Sequence, residues 1–389
     1  MENFDYYNPT KIIFGRGVES RVGAETRVYS KKILLHYGGG SIKKSGLYER
    51  VVQSLKAAEI EWVELSGVQP NPRLSLVRDG IKLCREQGID FILAVGGGSV
   101  IDSAKAIAVG VPYSGEVWDF FSAKTVPERS LPVGVVLTIP AAGSESSRSS
   151  VITNEEGWLK WGLNSDFNRP RFAIMNPELT YSLPPYQTAC GAVDIMAHVM
   201  ERYFTDVPHV DLTDRLCEAV LKTMIRNTQL VMQKPDNYDA RAEMMWSGTL
   251  AHNDLLSTGR VGDWAVHLIE QELSAIYDVA HGAGLAVVFP AWMKYTLRRN
   301  VAKFIQFAVR VWDVEYDFDD PERTAREGIR RLESFYRTIG MPTNLRELQV
   351  PDDRLAEMAA KSIKPWLTSV GGVSRFSRED VLAVLELAR

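Results

Sequence analysis

Twice in its first hundred residues the chain sets Gly-Gly-Gly-Ser directly behind a short apolar run: Gly38-Gly39-Gly40-Ser41 after Ile33-Leu34-Leu35, and Gly96-Gly97-Gly98-Ser99 after Phe91 to Val95. A strand that ends in glycines and turns into a helix is half of a βαβ unit, and two of them restrict the first part of the chain to a small set of folds. The intervening pattern agrees: a helical stretch from Leu47 to Ala58, a strand-like run from Trp62 to Leu65, and an amphipathic stretch from Leu74 to Gln87 that stops at Gly88. Behind the second triplet, Ser99 to Val109 reads as a helix with Ser99 as its N-cap and Asp102 as the reciprocal capping residue, and Val133 to Ile139 reads as a further buried strand. Alternating strands and helices predict an α/β domain whose mostly parallel sheet is covered on both faces. Its organisation is Rossmann-like, but Lys43 and Ile101 stand where a third glycine would be, so a strict GxGxxG is absent.

After Leu183-Pro184-Pro185 the β-branched runs give way to helical periodicity. This predicts two domains, an α/β domain over 1–183 and an all-α domain over 184–389. Helix punctuation fits: Ile329 to Ile339 stops at Gly340 with Pro342 beyond, and Ser377 with Asp380 reads as a capping box for the last helix.

The glycine loops point to a phosphorylated ligand. Residues without a Cβ let phosphate oxygens approach the backbone, and the amide end of the following helix suits a pyrophosphate. A third polar loop, Thr138 to Ser147, has small and hydroxyl-bearing residues that can line a cofactor. Around the first loop, Gly39, Ser41, Lys43 and Lys44 offer space, a donor and positive charge where a carboxylate would otherwise meet a ribose 2′-hydroxyl, which favours NADP(H) over NAD(H). Larger partners are not indicated. A net charge of -4 with no basic block gives no footprint for nucleic acid or an acidic membrane surface, so small molecules are the expected partners. With no signal-like opening and no apolar run of about 18 residues, a cytoplasmic protein is expected. The three cysteines, Cys84, Cys190 and Cys217, are widely spaced and read as small buried hydrophobes.

In the second half, Asp194 and His198 are four residues apart, on one face of a helix, and His267 and His281 follow in apolar surroundings. One carboxylate and three imidazoles can bind Zn²⁺ or Fe²⁺. Spacing alone leaves open that the first two are a helix-surface pair and the others satisfied core residues. His36, His209 and His252 are read as structural or exposed.

Taken in order, Tyr37 to Lys44, Gly96 to Lys105, Thr138 to Ser147, Asp194 to His198, and His267 through His281-Gly282 make the chain similar, over nearly its whole length, to the iron-containing (group III) alcohol dehydrogenases, in particular the NADPH-dependent aldehyde reductase and butanol dehydrogenase branch. The resemblance implies hydride transfer between a nicotinamide dinucleotide and a small primary alcohol or aldehyde, in an active-site cleft between a dinucleotide domain and a helical domain. It implies a divalent metal, Fe²⁺ or Zn²⁺, on Asp194, His198, His267 and His281. It implies cofactor contacts at Gly38, Gly39, Gly40, Ser41, Asn71, Gly97, Gly98, Ser99, Asp102, Thr138, Ser144, Ser147 and Lys160, with Leu179 packing nearby and Lys160 reaching a phosphate. It also implies a homodimer formed through the N-terminal domain. One position departs: the family usually has a second histidine where Gln271 stands, which puts any proton-relay role there in doubt. The alternatives on the same architecture are a dehydroquinate-synthase-like lyase, a glycerol-phosphate-type dehydrogenase and a catalytically silent binder.

Overall fold

The computed structural model describes residues 1–389. Eight strands and fifteen helices occur in the chain. The strands are β1 (Lys11–Phe14), β2 (Lys32–Tyr37), β3 (Glu61–Leu65), β4 (Ile92–Gly96), β5 (Val133–Leu137), β6 (Ser149–Asn154), β7 (Leu159–Asn164) and β8 (Phe172–Met175). Helices α1 (Val22–Arg27), α2 (Ser41–Lys44), α3 (Leu47–Ala57), α4 (Leu74–Gln87), α5 (Gly98–Gly110) and α6 (Trp118–Phe121) lie among them. Then come α7 (Pro185–Tyr203), α8 (Asp211–Gln233), α9 (Tyr238–His252), α10 (Ala265–Tyr277), α11 (His281–Thr296), α12 (Val301–Trp312), α13 (Pro321–Thr338), α14 (Leu355–Ser362) and α15 (Arg378–Leu387). None of these helices is long and apolar enough to cross a membrane.

The chain divides into two compact units, one of Tyr7–Leu183 with Asp236–Thr249, the other of Met1–Tyr6, Pro184–Pro235 and Leu250–Arg389. A single cut behind Leu183 therefore misses two segments: most of α9 packs with the sheet unit, where Met245 joins the core, and the first six residues go with the helices.

Six strands of the sheet unit run in the order β1-β8-β5-β4-β2-β3, every pair parallel. Alternate residues serve opposite faces. Leu34, Ile92, Ala94 and Val135 join α4 and α5 in one buried cluster, while Ile33, Leu35, Leu93 and Val95 join α3 in the other. Burial on both faces accounts for the continuous apolar runs of β2, β4 and β5. Because all six strands are parallel, the loops leaving β2, β4, β5 and β8 gather at one end of the sheet.

Two details differ from the pattern expected of the sequence. Helix α5 starts at Gly98 with Gly97 as its N-cap and no side-chain cap, because the Asp102 carboxylate is drawn to Ser144 Oγ at 2.6 Å and Val151 N at 2.9 Å instead of back to Ser99. The antiparallel hairpin β6–β7 follows a polar loop and gives no strong alternation to read; its turn contains Gly157 at φ 84° and Trp158 at φ 50°.

The helical unit is built around α11, whose residues Gly282 to Met293 are all buried, so it reads as apolar all round. Ser377 and Asp380 do form the capping box of α15, and Gly340 at φ 79° follows the end of α13.

Candidate functional site

At the carboxyl end of the sheet, Gly38, Gly39 and Gly40 leave β2 and Ser41 opens α2, while Gly97 and Gly98 leave β4 and carry Ser99 into the first turn of α5. The triplets are glycine for different reasons. A Cβ on Gly97 would press on Ile139 at 3.2 Å and one on Gly98 on Ala142 at 3.1 Å, whereas a Cβ on Gly39 or Gly40 would meet nothing within 4 Å. The first loop thus borders open space that this unit's own packing does not fill. Thr138 follows β5 and its N–H donates to Gly96 O at 3.0 Å, which ties the third loop to the second. Asn71 is buried with a left-handed backbone, φ 54°, and Leu179 lies in the 3-10 turn Pro177–Thr180 against the sheet core.

Asp102, Ser144 and Ser147 form an internal network with a residue that sequence reasoning passed over, Lys105. Its ammonium is fully buried and donates to Ser144 Oγ at 2.9 Å, Ser147 O at 3.1 Å and Ser149 O at 2.8 Å. Burial pulls the Lys105 pKa down to about 8 against the opposing pull of Asp102 and Glu145. Burial likewise raises the Asp102 carboxyl, with Lys105, Ser144, Val151 and the nearby Lys160 acting the other way. Lys160 is buried on β7 beside this cluster, and Asp102, Ser144 and Ser147 are joined through the cluster to the third loop.

In the helical unit, Asp194 and His198 lie one turn apart on α7, His267 lies on the first turn of α10, and His281 is the first residue of α11. Gly282 sets this convergence, since a Cβ there would fall inside contact distance of the Cys190 backbone on α7. Gly284 does the same toward α10, where a Cβ would stand 2.6 Å from Glu270 Oε1. The result is a cluster in which ligand atoms of Asp194, His267 and His281 all lie within 4.8 Å of one another. From Asp194 Oδ1 the distances are 3.9 Å to His267 Nε2 and 3.8 Å to His281 Nε2. A tetrahedral ion with ligands at about 2.1 Å has edges of roughly 3.4 Å, so the spacing fits one cation. The buried Asp194 Oδ1 and His267 Nε2 have no hydrogen-bond partner, and a cation between them would satisfy both. Oxygen and imidazole donors suit Zn²⁺ or Fe²⁺. His198 stands at the edge of the cluster, its ring 4.5 Å from that of His267 and its Nδ1 hydrogen-bonded to the Asp194 backbone O at 2.8 Å, which leaves Oδ1, 3.1 Å away, without a hydrogen bond.

Two carboxylates support the imidazoles from behind. Glu201, two turns along α7 from Asp194, accepts from His267 Nδ1 at 3.0 Å and from the backbone N–H groups of Trp264 at 2.7 Å and His267 at 3.0 Å, which also caps α10. Glu270 pairs with His281 Nδ1 and accepts from Ser274 Oγ. Both Nε2 atoms are thereby turned toward Asp194, the arrangement that orients metal-ligating histidines. Burial pushes the Asp194 carboxyl up, but His198, His267 and His281 outweigh it and hold it well below the usual range. Burial alone would lower His267; Asp194 and Glu201 instead raise it to about 9. Glu201 went unremarked in the sequence, although the 194, 198, 201 spacing on one helix was the signal. His252 is also closer than expected, its ring 4.2 Å from His198 and 5.6 Å from Trp264. His36 is a core residue between Leu65 O and Ser103 Oγ, both at 2.9 Å, and His209 is exposed.

Comparison with known proteins agrees across both units. The iron-containing alcohol dehydrogenase family matches residues 9–177, and the C-terminal part of the Fe-containing alcohol dehydrogenase family matches residues 188–389. A probable NADH-dependent butanol dehydrogenase of Bacillus subtilis is 45% identical over 99% of either chain. An NADPH-dependent aldehyde reductase of Escherichia coli is 35% identical over 100% of either chain. The crystal structure of an NADH-dependent butanol dehydrogenase A from Thermotoga maritima superposes with a TM-score of 0.97 at 42% identity, covering 100% of this chain and 99% of that one.

Proposed function

Because the chain belongs to the iron-containing alcohol dehydrogenase family, we propose that it interconverts small primary alcohols and aldehydes of the butanol and butanal type with a nicotinamide dinucleotide. The observation that carries this is the cluster of Asp194, His267 and His281, with two unpartnered buried ligand atoms and a carboxylate behind each histidine. We assign metal binding to these three and to His198, and catalysis to the same four. A bound divalent ion supplies Lewis acidity at the substrate oxygen, and a bound nicotinamide supplies or accepts the hydride. Glu201 and Glu270 keep His267 and His281 in the tautomer that presents Nε2. At the sheet end, the backbone amides of the two glycine loops are the groups that would take the pyrophosphate, and Lys105 holds the third loop in place.

For the dinucleotide, the space at Gly39 and the charge of Lys43 and Lys44 argue for a 2′-phosphate. Lys43, however, is paired with Glu64 at 3.8 Å, which cancels part of that charge. The relatives quoted above that are named for NADH also share more of their sequence with this chain than the one named for NADPH. We therefore take NAD(H) as the working cofactor, with NADP(H) as the second reading that the open first loop favours.

The test is to strip the protein of metal, reload it separately with Fe²⁺ and Zn²⁺, and follow reduced-nicotinamide absorbance with butanal and NADH or NADPH. Metal-dependent oxidation of the dinucleotide is expected, faster with NADH. Faster turnover with NADPH would restore the reading from the first loop, and no turnover across a panel of aldehydes and alcohols would sink the reaction itself, leaving the lyase or the silent binder.

A further inference from the structure

No carboxylate stands in the first glycine loop itself, yet the fold brings one to it from the next strand. Where a strand, a glycine loop, a helix and a second strand hold a dinucleotide, the adenosine ribose meets an acidic side chain about 20 residues beyond the glycines, at the end of the second strand. Glu64 has that place. It is the last residue but one of β3 and pairs in register with Leu35 of β2, and just beyond it the chain returns to the loop, where the Gly67 N–H donates to Gly38 O at 3.0 Å. Tyr37, directly before the glycines, and Tyr48, on the first turn of α3, donate their hydroxyls to the Glu64 carboxylate, one to each oxygen. These bonds fix the carboxylate without filling it, since the ionised group has about four acceptor positions. The side chain is 34% exposed, so the remaining positions are open to a ligand. Burial pushes the Glu64 carboxyl up, but Tyr37, Tyr48 and Lys43 outweigh it and hold it below its ordinary value. Lys43 Nζ stands 3.8 Å from Glu64 Oε2, with the centroids of the Tyr37 and Tyr48 rings at 5.3 Å and 4.7 Å, so its charge is turned into this cluster.

We propose, resting on the dinucleotide chemistry proposed above, that Glu64 selects the cofactor, accepting the adenosine ribose 2′-hydroxyl of NAD(H) and repelling the 2′-phosphate of NADP(H). Tyr37 and Tyr48 are positioning residues that hold its carboxylate beside the loop. Lys43, drawn to the same carboxylate, is kept from serving as the partner of a 2′-phosphate. The open space at Gly39 and Gly40 then admits the ribose, and the charge beside it decides which ribose stays.

The test is fluorescence titration of the full metal-loaded chain with NADH and with NADPH, comparing the wild type with Glu64→Gln, with Tyr37→Phe/Tyr48→Phe, and with Glu64→Gln/Lys43→Met. The wild type should bind NADH more tightly. Glu64→Gln should weaken NADH by about tenfold, as for a lost hydrogen bond to a charged acceptor, and tighten NADPH by about fivefold as the like charge goes and Lys43 is released. The NADPH gain should shrink in 1 M salt, where exposed charges are screened beyond about 3 Å. The double phenylalanine variant should weaken NADH by about threefold with little change for NADPH, and adding Lys43→Met to Glu64→Gln should cancel the NADPH gain. An unchanged ratio of the two affinities in Glu64→Gln, equal losses for both dinucleotides, or a wild type that prefers NADPH overturns the proposal while leaving the dinucleotide reading intact. A wild type that binds neither dinucleotide overturns both.

Discussion

Glycines stand at both candidate sites, and they do opposite things. In the helical unit a Cβ on Gly282 would run into the Cys190 backbone and one on Gly284 into the Glu270 carboxylate, so these glycines exist because the chain presses on itself. In the sheet unit a Cβ on Gly39 or Gly40 would meet nothing within 4 Å. The candidate metal cluster is therefore made by side chains that packing forces together, while the first loop is backbone left bare beside open space. A glycine's neighbours tell which kind of site it serves, and substitutions can separate the two.

The largest effect is expected at Gly282→Ala. Backbone cannot yield as a side-chain tip can, so α11 must move off α7, carrying His281 with it. Overpacking of this kind costs about 3 kcal/mol. A lowered urea midpoint together with reduced metal content is the expected outcome. A variant with normal stability and full metal would break the contrast at its stronger end.

Glu201→Gln and Glu270→Gln come next, since they leave the packing in place and alter only what stands behind the imidazoles. Loss of such a supporting carboxylate lowers metal affinity by about 10- to 100-fold. Titration against a chelator of known affinity measures it. Unchanged affinity in both variants would mean that packing alone orients His267 and His281.

These two carboxylates also mark where the sequence stops being legible. The parallel sheet could be read because its signals are local: Ile33 to Leu35 before one glycine triplet, Phe91 to Val95 before the other, and Gly88 at φ 63° behind α4. The candidate metal cluster was half legible as geometry. Asp194 and His198 are neighbours on one helix, but their meeting with His281 and His267 depends on Gly282 and Glu201, whose partners lie 92 residues back and 66 residues on. No periodicity encodes that. The assignment of Asp102 to a cap failed for the same reason: Ser144, 42 residues away, competes for its carboxylate. Lys105 was passed over because a lysine inside a helix is ordinarily solvated, and only the fold shows it at 0% exposure.

Gly39→Ala tests the open end of the comparison. With nothing within 4 Å of the added methyl, the urea midpoint should stay within about 0.5 kcal/mol of the wild type. Dinucleotide affinity, read by fluorescence titration with NADH and NADPH, should fall by about tenfold, as for one displaced hydrogen-bonding contact. A stability loss without an affinity loss would show that the loop is closed by its own chain after all.

The smallest expected effect concerns the frame that holds the third loop, and it is read through pH. The folded-state pKa of Lys105 is about 8, below the ordinary value of 10.5, because burial disfavours the ammonium. Between pH 8 and 10.5 the unfolded chain thus holds a proton that the folded chain has released, and stability attributable to this group rises with pH across that window. At pH 7.5 both states are protonated and the contribution is near its minimum; by pH 9 it should have grown by about 1 kcal/mol. The comparison is wild type against Lys105→Met in urea at both pH values, so that the other titrating groups cancel. The wild type should gain on the variant as pH rises. A gap that stays constant would mean that Ser144, Ser147 and Ser149 hold the ammonium charged, and that the loop's frame is electrostatically closer to the carboxylate-backed histidines than to the bare glycines beside it.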